Sequence, residues 1–344
     1  MAIMRTRRID ARNSRFRRSV PFPLRLLAVL LVAAAGCAAQ TVDPVETIRV
    51  DSDLVDLQVN VLNHDPSRLP VPLQPRDFFV VEDGVPQEIT FFAAADAPFD
   101  LILLLDLSGS TANKLKLIHK SSERFVEAAR PMDRIAILTF TDVVQIVSPL
   151  TYDRAELGKA IRGIQKPEGG TNFWDALRYV LDVVARPGRA SRRSAVVVMT
   201  DGVDNALPDV FGEGSRTTFE ELLNVVRHSN AIVFPIYLDT EKETIKRHLT
   251  PMSAYAMARD QLAQLADASG SAVYRADKLK DLEGVYEHVI RDLATVYSIG
   301  YRPKNGSRDG KWHSVNVQLV NHPELTARTR SGYYARMLSS GLPN

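Results

Sequence analysis

The chain has 344 residues, of which 45% are hydrophobic and 24% are charged, a composition typical of a folded globular protein. This length allows one large domain and one smaller domain, since domains usually span about 100–200 residues. The formal net charge is only +2, and seven arginines lie within the first 18 residues. Without these arginines the remainder is mildly acidic, which argues against a nucleic-acid-binding protein.

Residues 1–37 are expected to form an export signal. Arginines come first, an apolar run follows from residue 26, and small residues lie beyond it, which is typical of a secretory signal. The run is shorter than the about 20 residues that a membrane span requires. The only cysteine, Cys37, follows Gly36 in a segment that resembles the lipobox of bacterial lipoproteins. We therefore expect lipidation at Cys37 and a lipid-anchored protein of the periplasm or outer membrane. The alternative is a plain cleaved signal and a secreted protein.

Residues 38–46 are expected to form a tether, and residues 47–95 an N-terminal β segment. In this segment apolar residues alternate with polar ones, which predicts a half-buried strand with one wet face. The apolar positions are Val55, Leu57, Val59 and Val61. Residues 78–82 and 89–92 flank Asp83-Gly84, a turn dipeptide that predicts a hairpin between them.

The pattern changes over residues 98–294. Continuous apolar runs predict strands buried on both faces at 101–105, 135–140, 195–199 and 232–238. Amphipathic stretches predict helices at 114–129, 156–164, 173–184, 219–228, 262–268 and 279–293. Shorter strands are expected at 143–147 and 272–274. Strands that alternate with helices indicate an α/β domain with a doubly wound, mostly parallel sheet and right-handed crossovers.

Residues 295–337 return to the two-residue period and are expected to form a C-terminal β segment. Tyr297, Ile299 and Tyr301 alternate with small or polar residues, and residues 315–319 repeat the pattern. Because isolated hairpins are only marginally stable in water, we expect the two β segments to pair. They would then form one smaller β domain, with the α/β domain inserted between them in the sequence.

Three loops of the α/β domain carry polar residues where ligands bind in doubly wound sheets, beyond the carboxyl ends of the strands. The first loop contains Asp106, Ser108 and Ser110, directly after a predicted strand. The second contains Thr171, just before a predicted helix, and the third contains Asp201, directly after another strand. Carboxylates and hydroxyls are hard oxygen ligands that suit Mg²⁺ or Mn²⁺.

These five residues resemble the metal-ion-dependent adhesion site of the von Willebrand factor A domain, whose pattern is Asp-x-Ser-x-Ser, then Thr, then Asp on separate loops. The resemblance implies that Ser108 and Ser110 bind the cation directly and that Thr171 does so at least in the ligand-bound state. It also implies that Asp106 and Asp201 act mostly through water, and that an Asp or Glu of a partner completes the coordination. Many family members carry Met where this chain has Thr111, and we expect no effect on the metal.

The flanking segments resemble a wider group, the acidobacterial von Willebrand factor A-related proteins. The resemblance is carried by Glu82-Asp83-Gly84 and its surroundings in the N-terminal segment, and by Tyr297-Ser-Ile-Gly-Tyr301 in the C-terminal segment. Residues 309–313 and 330–334 add to it. The biochemical role of that group is poorly defined, so the resemblance bears mainly on fold and cellular location.

The favoured function is a non-enzymatic cell-envelope protein that binds a protein or an acidic ligand through the cation. A second hypothesis is a structural or assembly module in which the metal only stabilises the loops, and a third is a metal-assisted hydrolase. Ser108 is not part of a Gly-x-Ser-x-Gly motif, and the remaining carboxylates and histidines are expected to face solvent. A fourth interpretation is that Ser110 or Thr111 merely caps the helix that begins near residue 114.

Overall fold

The computed structural model describes residues 54–63, 72–165, 169–185, 192–245, 250–276, 279–306 and 309–335. The expected export signal, Cys37 and the tether lie outside these residues. Within the described ranges, no helix combines the length and the apolar character that a membrane crossing needs.

The described residues form fourteen strands, which are numbered in chain order. They are β1 (Val55–Asn63), β2 (Phe78–Glu82), β3 (Val85–Gln87), β4 (Ile89–Ala93), β5 (Phe99–Asp106), β6 (Arg134–Phe140), β7 (Val144–Thr151), β8 (Arg193–Thr200), β9 (Ile232–Leu238), β10 (Tyr274–Ala276), β11 (Val296–Tyr301), β12 (Trp312–Leu319), β13 (Leu325–Arg328) and β14 (Gly332–Tyr334).

Strands β5 to β10 form one six-stranded sheet in the order β10-β9-β8-β5-β6-β7. Neighbouring strands are parallel except for β7, which runs antiparallel to β6 at one edge. The α-helices are Leu115–Ala128, Arg154–Gly163, Phe173–Tyr179, Phe219–His228, Glu241–Ile245, Met252–Ser269 and Leu279–Leu293. Short 3-10 helices lie at Pro75–Asp77 and Gly109–Lys114, and a π-helical turn at Val180–Val184 follows the helix Phe173–Tyr179.

The apolar runs of the central strands supply two cores, one on each face of the sheet. In β5, Leu101 and Leu103 face one core while Ile102 and Leu104 face the other. Helices cover both faces, and the alternation of a pleated strand therefore buries every residue of the run. The predicted doubly wound, mostly parallel sheet is confirmed. Two details differ, since the helix expected at 262–268 begins at Met252 and the short helix Glu241–Ile245 was not expected.

The two β segments pair with each other across the inserted domain. Strand β1 lies antiparallel to β11, with Leu57 opposite Ile299, and β2 lies antiparallel to β12, with Val80 opposite Val317. They belong to two four-stranded sheets, ordered β13-β1-β11-β4 and β14-β12-β2-β3. Both sheets contribute to one apolar core. The expected association of the flanks is therefore observed.

The hairpin prediction was right about the turn and wrong about the second strand. Asp83 and Gly84 both have positive φ, 46° and 80°, as a tight hairpin turn requires. The turn leads from β2 into β3, whereas β4 pairs with β11 in the other sheet. Strand β3 contains Pro86, which has no amide hydrogen to donate and therefore suits the edge position that β3 holds.

The prediction that one face of β1 is exposed to solvent was also wrong. Gln58 and Asn60 on that face are 8% and 1% exposed. They are hydrogen-bonded to Ser298 and Thr295, and the helix Leu279–Leu293 contacts the strand. The polar face is covered because the sheet packs against the α/β domain. Neighbouring hydroxyls replace water at the Gln58 and Asn60 side-chain oxygens, while Asn60 Nδ2 and Asp56 Oδ1 are buried without a hydrogen-bond partner.

Candidate metal centre

The two acidic residues of the candidate site leave the sheet side by side. Strands β5 and β8 are parallel neighbours, with Leu105 opposite Met199. Asp106 is the last residue of β5, and Asp201 directly follows β8. Since the carboxyl ends of parallel strands meet at one edge of the sheet, the two carboxylates emerge at the same place.

The first loop is held by its own hydroxyl and amide groups. The Thr111 hydroxyl lies 2.9 Å from the carbonyl oxygens of both Asp106 and Ser108. The Ser108 amide donates to Asp106 Oδ1 at 2.8 Å, and Ser108 Oγ lies 3.1 Å from Ser110 Oγ. The helix Leu115–Ala128 begins without a side-chain cap. The interpretation that Ser110 or Thr111 merely caps this helix was therefore wrong.

The second loop contacts the other two. The Gly109 amide donates to the Gly169 carbonyl at 3.3 Å, and the Asn205 amide donates to the Thr171 carbonyl at 2.9 Å. Gly169 has a φ of +118°, and a Cβ there would lie 2.6 Å from Asp142 Oδ2. Only glycine fits this position without strain. The structure thus brings Thr171 next to the loops that carry the serines and Asp201.

Threonine hydroxyls fix the orientation of both carboxylates. Thr200 Oγ1 donates to Asp106 Oδ2 at 2.6 Å and accepts from the Gly202 amide at 2.9 Å. Thr240 Oγ1 donates to Asp201 Oδ2 at 2.7 Å. The Ser110 side chain is one of the groups that lower the pKa of Asp201, so the first and third loops lie close together.

The two carboxylates are buried close together, which makes the ionised form of each one less favourable. Asp106 and Asp201 are both 0% exposed. Burial and then the nearby charge of Asp201 raise the pKa of Asp106 to about 7, against hydrogen bonds from Ser108 and Thr200 that lower it. Burial also raises the pKa of Asp201. A divalent cation would favour the charged form of both groups, and the oxygen-only donor set suits a hard cation.

The site opens into a cleft with a volume of about 280 Å³. Two of the five candidate ligands, Ser110 and Thr171, line it, and Val210 and Phe211 line it as well. Phe211 is 95% exposed, which is unusual for a large apolar side chain beside a polar site. The cleft is therefore accessible from outside and has both a polar and an apolar part.

All five residues expected from the sequence are placed at this one edge of the sheet. Three further residues shape the site and were not expected in that role, namely Asp142, Thr200 and Thr240. Asp142 accepts from the Gly170 amide at 2.9 Å and so holds the second loop. Each of the three ends or closely follows a strand at the same edge, and that position is the signal in the sequence that could have identified them.

The sequence pattern of the von Willebrand factor type A domain family matches residues 101–203 of this chain. Among solved structures, the chain is similar to BatB of Bacteroides thetaiotaomicron, at 13% identity over 56% of this chain and 98% of BatB, with a TM-score of 0.43. The type V pili tip protein Mfa5 of Porphyromonas gingivalis is matched at 14% identity over 56% of this chain and 95% of its von Willebrand factor domain, with a TM-score of 0.41. Proximal thread matrix protein 1 of the mussel byssus, solved with zinc in its adhesion-site motif, is matched at 18% identity over 60% of this chain and 48% of that chain, with a TM-score of 0.45.

Proposed function

The chain contains a von Willebrand factor type A domain, and we propose that this domain holds Mg²⁺ or Mn²⁺ and uses the cation to bind a partner. Ser108 and Ser110 would bind the cation directly, and Thr171 would join them when the partner is bound. The observation that carries the proposal is the pair of serine hydroxyls, 3.1 Å apart, in front of two buried carboxylates. Burial of such a group of oxygen atoms is unfavourable in free energy without a cation, and a bound cation makes it favourable.

Asp106 and Asp201 would act mostly through water. Their carboxylate oxygens already accept hydrogen bonds from Thr200, Thr240 and two backbone amides. A cation with few direct carboxylate ligands keeps much of its charge, so a carboxylate of the partner can complete its coordination. The proposed ligand is therefore a protein or another acidic molecule, with Phe211 in position to make an apolar contact beside the charged one.

The described residues that line the cleft include no histidine, lysine or carboxylate. A metal-assisted hydrolase needs a general base within about 3 Å of the reacting water or substrate group. The assembly module, in which the metal only stabilises the loops, is also a weaker explanation. Hydrogen bonds from Thr111, Thr200 and Thr240 already stabilise these loops. We therefore favour a binding protein over the hydrolase and the assembly module.

We place this binding protein in the cell envelope, tethered by a lipid on Cys37. The support is the sequence pattern before Cys37, and mass spectrometry of the mature N-terminus tests it. A mature chain that begins with lipidated Cys37 is expected. A free, unmodified N-terminus beyond residue 37 would replace the lipoprotein with a secreted protein.

Metal-dependent partner binding is tested by a pull-down from envelope extract with the purified chain as bait. The partner is expected to be recovered with Mg²⁺, lost with EDTA and recovered again when Mg²⁺ is restored. The Ser108→Ala variant should recover none, whereas Ser253→Ala, which changes an exposed serine on the helix Met252–Ser269, should behave as wild type. Recovery of the same proteins by Ser108→Ala in EDTA would contradict the proposal.

A further inference from the structure

A second cluster of metal-binding side chains lies in the β domain, outside the candidate metal centre. Glu82 is the last residue of β2, Asp83 lies in the turn that follows, and His313 lies on the neighbouring strand β12. The expectation that the remaining carboxylates and histidines face solvent was wrong for Glu82 and His313, which are both buried. They come together because β2 and β12 pair across 230 residues of sequence.

The ligand atoms of the three side chains lie close together. His313 Nδ1 lies 2.8 Å from Asp83 Oδ2 and 3.8 Å from Glu82 Oε1. One ligand atom from each of the three residues lies within 4.8 Å of the other two. Two atoms that bind one cation through bonds of about 2.0–2.2 Å lie no more than about 4.4 Å apart, and the 2.8 and 3.8 Å distances from His313 Nδ1 are within that limit.

Glu82 supplies an independent indication that a cation belongs there. Its side chain is 0% exposed, and its Oε2 atom accepts from the Tyr301 and Tyr333 hydroxyls at 2.6 and 3.0 Å. Its Oε1 atom is buried without a hydrogen-bond partner and is the atom that faces His313. A buried carboxylate oxygen without a donor is costly, and a bound cation would remove that cost.

The opposite side of the imidazole ring resembles the surroundings of a metal-bound histidine. His313 Nε2 lies 3.4 Å from Asp309 Oδ1. Histidines that bind a metal through one nitrogen commonly donate through the other to a carboxylate, which fixes the ring orientation. Asp83 Oδ1 accepts from the amide and hydroxyl of Ser314 at 2.8 and 3.0 Å, so this ligand is oriented as well.

We propose that Glu82, Asp83 and His313 bind a divalent transition metal of the Zn²⁺ class, with Asp309 as a positioning residue. One imidazole with two carboxylates favours Zn²⁺ over Mg²⁺ and Ca²⁺, which take oxygen ligands. Asp83 is exposed, so the fourth position is open to water. A simple ion pair of His313 with Asp83 and Glu82 is the competing account, but it leaves Glu82 Oε1 buried without a hydrogen bond.

The proposed metal would join the two halves of the β domain. Glu82 and Asp83 come from the segment before the α/β domain, and His313 comes from the segment after it. A cation held by all three therefore adds a cross-link between chain ends that the inserted domain separates. It would stabilise the β domain by binding only to the folded state.

The test is Zn²⁺ titration of the full chain in the Asp106→Ala background, in which cation binding at the first centre is weakened. One Zn²⁺ per chain is expected to bind. His313→Gln should weaken that binding by more than about a hundredfold and Asp309→Asn by about tenfold, since loss of a positioning carboxylate costs about 10–100-fold in affinity. His322→Gln is the matched control, because His322 also lies near two carboxylates, Asp77 and Glu324, but outside the cluster.

The thermal unfolding midpoint supplies a second readout. Zn²⁺ should raise it in the Asp106→Ala chain and in the His322→Gln derivative, but not in the His313→Gln derivative. If His313→Gln does not fold, Asp309→Asn decides the matter, because that side chain is partly exposed. Absence of a bound Zn²⁺ in the Asp106→Ala chain, or affinity unchanged by both cluster variants, would overturn the proposal. The effect of His313→Gln and Asp309→Asn, measured against His322→Gln, does not depend on whether the first centre binds a metal.

Discussion

The hydrogen bonding and the ionisation of the Asp106 side chain depend on residues that are distant in the sequence. Its position after an apolar strand predicted a ligand at the sheet edge, and the structure places it there. Its hydrogen bond from Thr200 and its repulsion by Asp201 depend on the pairing of β5 with β8. A loop sequence alone does not specify such pairing, so the role of Thr200 was not predicted whereas that of Asp106 was.

The raised pKa of Asp106 leads to a pH-dependent prediction. The pKa rises in the folded chain from 3.8 to about 7, so the folded state binds this proton more tightly than the unfolded state does. Without metal, the contribution of Asp106 to stability is present below about pH 4 and is lost as the pH rises through about 7. Mg²⁺ bound as proposed would stabilise the charged form of Asp106, and its effect on stability should therefore be larger at higher pH.

Thermal unfolding followed by circular dichroism checks this prediction. Added Mg²⁺ should raise the unfolding midpoint more at about pH 8 than at about pH 5.5, because protons compete with the cation only at the lower pH. The Asp106→Ala variant should show no Mg²⁺-dependent shift at either pH. An equal shift of the wild-type midpoint at both pH values would contradict the assignment.

At the scale of strands and helices, periodicity predicted most elements but not what covers them. The alternation in β1 correctly indicated a strand, yet its polar face is buried against the α/β domain. Hydrogen bonds from Ser298 to the Gln58 side-chain oxygen and from Thr295 to the Asn60 side-chain oxygen offset part of the cost of that burial. Hydrophobic patterning identifies a polar face but does not show whether that face contacts water or protein. Both surroundings can supply hydrogen-bond partners to polar side chains.

Arg193, the first residue of β8, connects elements of both domains. Its guanidinium group donates to the carbonyl oxygens of Ala95 and Ala97, before β5, and of Val296 in β11. It also lies 4.1 Å from the centre of the Phe99 ring. Burial is the main cause that lowers its pKa, to about 10, so it remains charged at neutral pH and depends on these carbonyl groups.

We expect Arg193→Lys to lower the free energy of unfolding by about 2 kcal/mol. Lysine keeps the charge but cannot reproduce the planar array of donors, and it leaves buried carbonyl groups unpaired. Urea unfolding measures the change. Arg124→Lys is the control, because Arg124 pairs with Glu127 on the surface and such pairs contribute little. Equal stability of Arg193→Lys and wild type would show that Arg193 does not join the domains.

At the scale of the whole molecule, the chain order of β, α/β and β segments predicted that the flanks pair. The two-sheet arrangement was not predicted, since β4 leaves its hairpin neighbours and joins β11. The Glu82–His313 cluster was not predicted either. Its members are separated by the whole α/β domain, and only the register of β2 on β12 brings them together.

The described part of the chain should unfold as one cooperative unit. Residues 52–344 form one compact unit, and Arg328 of β13 donates to the carbonyl of Ser271 in the α/β domain at 3.3 Å. Calorimetry should give one transition with equal calorimetric and van't Hoff enthalpies. Two resolved transitions would show that the β domain and the α/β domain are energetically independent.

The central claim is that the edge of the parallel sheet binds a divalent cation through Asp106, Ser108, Ser110, Thr171 and Asp201. Isothermal titration with Mg²⁺ or Mn²⁺ tests it most directly, on wild type, Asp106→Ala and Ser108→Ala, with Ser253→Ala as the control. Both site variants should keep the fold and lose at least about tenfold in affinity, or about 1.4 kcal/mol, while the control binds as wild type. Unchanged affinity in both site variants would contradict the claim.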